Sequence, residues 1–174
     1  STYYPPVWLR NGHTNTIYPY FFRKKIQLPY KRERIETPDG DFFDVDWLRT
    51  NNQKRLVILL HGLEGSSASQ YIRGNANTLL KEGFDVASIN FRSCSGEMNK
   101  NLTMYHSGFT QDLHHFIDIF GSTYDEIFIC GFSLGGNVAM KYAGDGHHVS
   151  VIKFQLVITR RIVNLGRCVP ADLG

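Results

Sequence analysis

Ser133 sits between small neighbours in Gly131-Phe132-Ser133-Leu134-Gly135, and a serine so flanked can act as a nucleophile if the backbone presents its hydroxyl. Composition alone yields Gly-x-Ser-x-Gly in roughly one chain of this length in twenty, at ~7% for each residue. The setting carries more weight than the pattern. Glu126 to Cys130 reads as a buried strand directly before the motif, and the helical stretch Asn137 to Ala143 follows it. A serine on such a strand-to-helix turn is held in strained backbone, and small residues at Gly131 and Gly135 let the turn close. The Leu134 amide, at the positive end of the helix, would then face an acyl oxygen as charge develops on it. A purely structural glycine turn is the competing reading.

A second motif, His61-Gly62-Leu63-Glu64-Gly65, ends an earlier strand. Sites in open parallel sheets form beyond the carboxyl ends of strands, so a loop amide, that of Leu63, is the candidate for a second oxyanion donor. His61, directly before the glycine turn, is expected to hold the loop by hydrogen bonds rather than to serve as a base.

These two motifs need a sheet to carry them. Leu56 to Leu60 is a continuous apolar run suited to a strand buried on both faces, and Phe84 to Phe91 reads as another. Between them, Tyr71, Ile72, Ala76, Leu79 and Leu80 recur at helical spacing from about Ser69 to Lys81, with Gly83 placed for a left-handed cap. Phe109 to Phe120 reads as a second helix. Upstream, Ile26 to Thr37 and Phe42 to Leu48 read as an antiparallel pair joined by Pro38-Asp39-Gly40, and Val151 to Ile158 reads as a last strand. Alternating strands and helices predict an α/β chain with right-handed crossovers and an open, mostly parallel sheet.

The bulk properties fit a single globular domain spanning residues 1–174: 42% hydrophobic, 20% charged and net +3. No apolar run approaches the ~20 residues that span a bilayer, and no leader is recognisable, so no integral membrane segment and a cytoplasmic setting are expected. Cys94, Cys130 and Cys168 suggest neither disulfides nor zinc, and are read as free and mostly buried. Arg23, Lys24, Lys25, Lys31, Arg32 and Arg34 form the one basic cluster, which reads better as a solvated strand edge than as a nucleic-acid contact.

Taken in order, five stretches resemble the YheT-like branch of the α/β-hydrolases, a group of carboxylesterases and lipases. They are Asn11 to Ile17 around Gly12-His13; His61 to Gly65; Asn90-Phe91-Arg92-Ser93-Cys94-Ser95-Gly96-Glu97; Tyr105 to Gly108 with Thr110 to Leu113; and Gly131 to Gly146. The likeness runs from about residue 4 to 148, departs at Ser93, where the family usually has glycine, and is lost in the divergent segment 150–174. It implies an α/β-hydrolase fold with helices on both faces of the sheet, of which this chain carries the N-terminal half.

That fold orders its triad as serine, acid, histidine, with the last two well beyond the elbow. After Ser133 the acids are Asp145 and Asp172 and the histidines His147 and His148. The histidines fall roughly 20 Å away along the helix, at 1.5 Å per residue, and Asp145 is excluded by the same distance. His106, His114 and His115 precede the serine, and His13 is expected to pin the N-terminal segment. The expected function is hydrolysis of a small-molecule or lipid carboxylic ester through an acyl-enzyme on Ser133, without cofactor or metal, and impaired in this chain where acid and base are missing. The same residues would serve a thioesterase or acyltransferase. A non-catalytic binding module on the same sheet is the alternative from another class. The segment Arg160-Arg161-Ile162-Val163 is expected to lie beyond the last strand, because paired charges are costly inside a sheet.

Overall fold

The computed structural model describes residues 26–50, 54–101 and 105–145 in full, and the backbone alone of 152–158 and 161–164. Seven strands form its sheet: β1 (Lys31–Glu36), β2 (Phe42–Leu48), β3 (Arg55–Leu60), β4 (Asp85–Asn90), β5 (Glu126–Gly131), β6 (Ile152–Ile158) and β7 (Arg161–Asn164), in the order β1-β2-β4-β3-β5-β6-β7. The block β4-β3-β5-β6 is parallel, and antiparallel pairs flank it on both sides. Helix α1 (Gln70–Lys81) crosses from β3 to β4, α2 (Gln111–Phe120) precedes β5, and α3 (Leu134–Gly144) leaves it.

Side-chain alternation along the strands sorts the core into two layers. Leu56, Ile58 and Leu60 of β3 join Val45, Trp47, Ile89 and Ile129 on the face covered by Leu113 and Phe116 of α2 and by Val138 and Tyr142 of α3. Val57 and Leu59 point the other way, with Val86 and Leu48, onto Ile72 and Ala76 of α1. Helices therefore cover both faces. Helix α1 closes at Gly83 with φ +78°, and the amides of Gly83 and Phe84 bond the carbonyls of Leu80 and Leu79 at 3.1 Å each, the paired bonds of a Schellman cap.

Two boundaries differ from expectation. Strand β1 starts at Lys31 rather than Ile26, because Pro29 supplies no N–H and the Tyr30 amide turns back to the Leu28 carbonyl at 2.8 Å. Arg161, Ile162 and Val163 belong to a further strand rather than lying beyond the last one. That strand pairs as β7, with Arg161 opposite Ile158 in an antiparallel register at the sheet edge. Of the expected free thiols, Cys94 and Cys130 are unpaired but only half-buried, and Cys168 lies outside the described residues.

The arginines of the basic cluster have a use on the sheet itself. Arg32 and Arg34 lie directly across from Asp46 and Asp44 of β2, whose carboxylates are buried, and each makes a forked pair with its partner. The exposed edge strand thus neutralises two acids that its neighbour turns inward. Arg23, Lys24 and Lys25 lie outside the described residues. Among those residues no helix is long and apolar enough to cross a membrane.

A second ion-pair centre joins the β1–β2 turn, the loop after β4 and the start of α2. Arg92, 2% exposed, forks onto Asp112 at 2.8 and 3.0 Å, reaches Asp39 at 2.6 Å and lies 3.6 Å from Asp41. Removing its guanidinium leaves Asp41 and Asp112 buried without a cation. Arg92→Leu is therefore expected to lower the unfolding free energy by about 3–5 kcal/mol in urea titrations; a loss under ~1 kcal/mol would show that the centre is not needed for stability.

Candidate active site

Ser133 caps α3 with φ 52° and ψ −115°, a conformation that costs a residue bearing a Cβ. Among the described residues three non-glycines have positive φ: Glu64 at 54°, Ser93 at 61° and Ser133. They follow β3, β4 and β5 respectively, so the strain is gathered at the carboxyl end of the parallel block. The turn at Ser133 closes only because its glycines are bare. A Cβ on Gly131 would lie 2.2 Å from the Gly135 carbonyl oxygen, and one on Gly135 would lie 2.5 and 2.6 Å from the carbonyl oxygens of Leu60 and His61. The Phe132 amide donates to the Leu60 oxygen at 3.0 Å, which ties the elbow to the end of β3.

The loop after β3 lies against the elbow. A Cβ built on Gly62 would stand 3.4 Å from the Cβ of Ser133. His61 is 1% exposed; its Nε2 accepts the Phe91 amide at 3.1 Å, which leaves Nδ1 to donate to the Gly62 carbonyl at 2.7 Å. Burial holds its pKa below the ordinary value, so the ring is a neutral brace between the ends of β3 and β4. The Gly65 amide donates to the same Gly62 oxygen at 3.0 Å. Because that carbonyl is fixed by two donors and the next N–H is trans to it, the Leu63 amide points the opposite way. Among the described residues no protein acceptor takes the amide of Leu63 or of Leu134. The Leu63 side chain is 67% exposed.

Further along, Ser67 anchors the loop, its amide to Asn90 Oδ1 at 2.8 Å and its hydroxyl to the Asp46 carboxylate. Tyr71 accepts the Gly62 amide at 2.9 Å, and Tyr105 accepts that of Glu64 at 3.1 Å. Nothing local in the sequence signals these hydroxyls, since Tyr71 fits the apolar stripe of α1 by its ring alone. After β4, Ser93 keeps the left-handed turn that glycine would favour, and Asn99 holds it by accepting the Ser93 amide at 2.5 Å and donating its own to Ser93 Oγ at 3.2 Å. The departure at Ser93 is thus braced in place.

The other described histidines have partners of their own. His106 Nδ1 accepts the Gly108 amide at 3.1 Å, His114 lies 3.4 Å from Asp118, and His115 Nε2 bonds the Glu36 carbonyl at 3.0 Å. Asp145 ends α3, where Lys141 pairs with it at 2.8 Å. His13, His147, His148 and Asp172 lie outside the described residues. Beneath the elbow, burial pushes the Cys130 thiol up to about 11, so it stays protonated at neutral pH.

Two outcomes follow from this geometry. Since positive φ suits glycine better than any residue with a Cβ, Ser133→Gly should be more stable than Ser133→Ala by about 1 kcal/mol in urea denaturation; equal stabilities would remove the case for strain at the elbow. The His61 ring has its pKa depressed on folding, so the unfolded chain takes up a proton near 6.5 that the folded chain refuses. Its stability contribution is complete above that pH and shrinks as pH falls below it. Denaturation midpoints should drop between pH 7.5 and 5.5, and His61→Asn should flatten that slope.

Comparison with known proteins places the chain in a family. Residues 55–153 match the family model described as alpha/beta hydrolase fold. YheT of Escherichia coli (strain K12), named as a putative esterase, is 34% identical over 157 residues, covering 87% of this chain and 46% of the relative. Phospholipase ABHD3 of Homo sapiens is 29% identical, covering 83% and 38%. The solved structure of the Pyrococcus furiosus esterase Pf2001 superposes with a TM-score of 0.56 at 27% identity, over 71% of this chain and 48% of that one. The chain thus spans less than half the length of each of these relatives. The match over 55–153, the strand order around β3 and β5, and the likeness to YheT agree: this chain belongs to the α/β-hydrolase family.

Proposed function

We propose that the protein hydrolyses carboxylic esters through an acyl-enzyme on Ser133. The observation that carries this reading is the Ser133 backbone, bent to φ 52° at the head of α3 and packed against the Gly62 loop. In the first half-reaction Oγ attacks the acyl carbon, its proton passes to a base, and the carbonyl π-electrons move onto oxygen. The amides of Leu63 and Leu134, free of protein acceptors among the described residues, would hold that oxyanion. The intermediate collapses as the alcohol leaves with a proton, and water then releases the acid by the reverse sequence. Gly62, Gly131 and Gly135 allow the approach, and His61 braces it. In the order this fold uses, the acid and the histidine base would follow the serine in the chain, while His61 is buried and bonded through both ring nitrogens to Gly62 and Phe91.

Small-molecule or lipid esters are the substrate class this reading favours, in keeping with relatives named as a putative esterase and a phospholipase. No cofactor takes part in it. Its setting is the cytoplasm, in keeping with the unpaired thiols of Cys94 and Cys130.

A fluorophosphonate probe and a short p-nitrophenyl ester test the proposal together. Labelling and turnover that both vanish in Ser133→Ala are expected; labelling that persists in the mutant, or no labelling of the unsubstituted protein, overturns it for this chain.

A further inference from the structure

Gly62 is the joint on which the direction of the Leu63 amide turns, and glycine has the widest backbone freedom of any residue. Both peptide planes beside it are pinned. The carbonyl on its far side is fixed by His61 Nδ1 and the Gly65 amide, while the N–H on its near side is fixed by the Tyr71 hydroxyl at 2.9 Å. Tyr71 also faces the elbow: its ring centroid is 5.0 Å from that of Phe132, the residue before Ser133, at an interplanar angle of 56°. A Cβ on Gly65 would fall 2.8 Å from its hydroxyl oxygen, and one on Gly62 3.6 Å from it. Loop glycines, hydroxyl and nucleophile turn are thus packed around one point.

The hydroxyl is not needed for packing. Tyr71 is in the first turn of α1, at the margin of the exposed surface, and a phenylalanine ring would make the same contact with Phe132. What phenylalanine cannot do is accept the Gly62 N–H. We infer that Tyr71 is a positioning residue, which fixes the Gly62 joint so that the Leu63 amide stays aimed at the acyl oxygen above Ser133. This rests on reading Ser133 as the nucleophile and the Leu63 amide as an oxyanion donor. Its effect passes through the loop, so it acts on the rate of the chemical step rather than on capture of the substrate.

Tyr71→Phe tests it by two readouts on the same protein. Amide hydrogen exchange over residues 61–65 reports the joint whether or not the site is active. The kinetics of fluorophosphonate labelling, resolved into a limiting rate and a half-saturating concentration, report the chemistry. Faster exchange at Gly62, a limiting rate lower by roughly a hundredfold and an unchanged half-saturating concentration are expected, since a displacement near 1 Å has an effect of about that order. Unchanged exchange overturns the inference whatever the labelling does. Faster exchange with an unchanged limiting rate overturns it as well. If the unsubstituted protein is not labelled at all, the nucleophile reading has failed instead, and the exchange data still say whether Tyr71 holds the joint.

Discussion

At Gly135 the first turn of α3 comes so near the end of β3 that a single carbon atom would collide with two carbonyl oxygens, those of Leu60 and His61. Much of the site depends on that approach. It requires β5 to lie beside β3, which the register does by setting Gly131 against Leu60. It forces the intervening residue into a backbone few side chains tolerate, and so lifts Ser133 out of the sheet at the head of a helix. The same closeness sets the Gly62 loop so near the serine that a Cβ on Gly62 would touch the Cβ of Ser133.

Strain of this kind persists only where the surroundings overdetermine it, and here they do so through polar contacts beneath the loops. His61 joins β3 to β4, while Ser67 and Asn90 join the loop after β3 to β4 and to Asp46 of β2. Arg32 from the edge strand balances the Asp46 carboxylate, and Arg92 gathers Asp39, Asp41 and Asp112 under the next loop. Among the described residues each buried carboxylate has an opposite charge or several donors beside it, which is the condition for burial to be tolerated.

Much of this was legible in the sequence. Leu56 to Leu60, Ser69 to Lys81 and Glu126 to Cys130 announce their elements because buried parallel strands and amphipathic helices each impose a strong pattern, and the strand–elbow–helix reading around Ser133 matches β5 and α3. The role of His61 as a brace was also legible, since its place before a glycine turn leaves little room for another. Cross-strand pairing was not: Arg32 and Arg34 are exposed on the edge strand as read, yet nothing local says that Asp46 and Asp44 turn inward opposite them. Tyr71 was hidden for a similar reason, its ring satisfying the helical stripe while its hydroxyl acts nine residues back along the chain. The start of β1 was misplaced because Pro29 and the turn at Tyr30 break a run that β-propensity alone would continue.

The elbow closes on main-chain atoms, Gly131 against Gly135 and Gly135 against the carbonyls of Leu60 and His61, with few side chains at the points of contact. The shape of the turn is thus a property of the main chain: a substitution at the exposed Leu63 would leave the Ser133 backbone where it is, whereas any side chain at Gly131 or Gly135 would displace it.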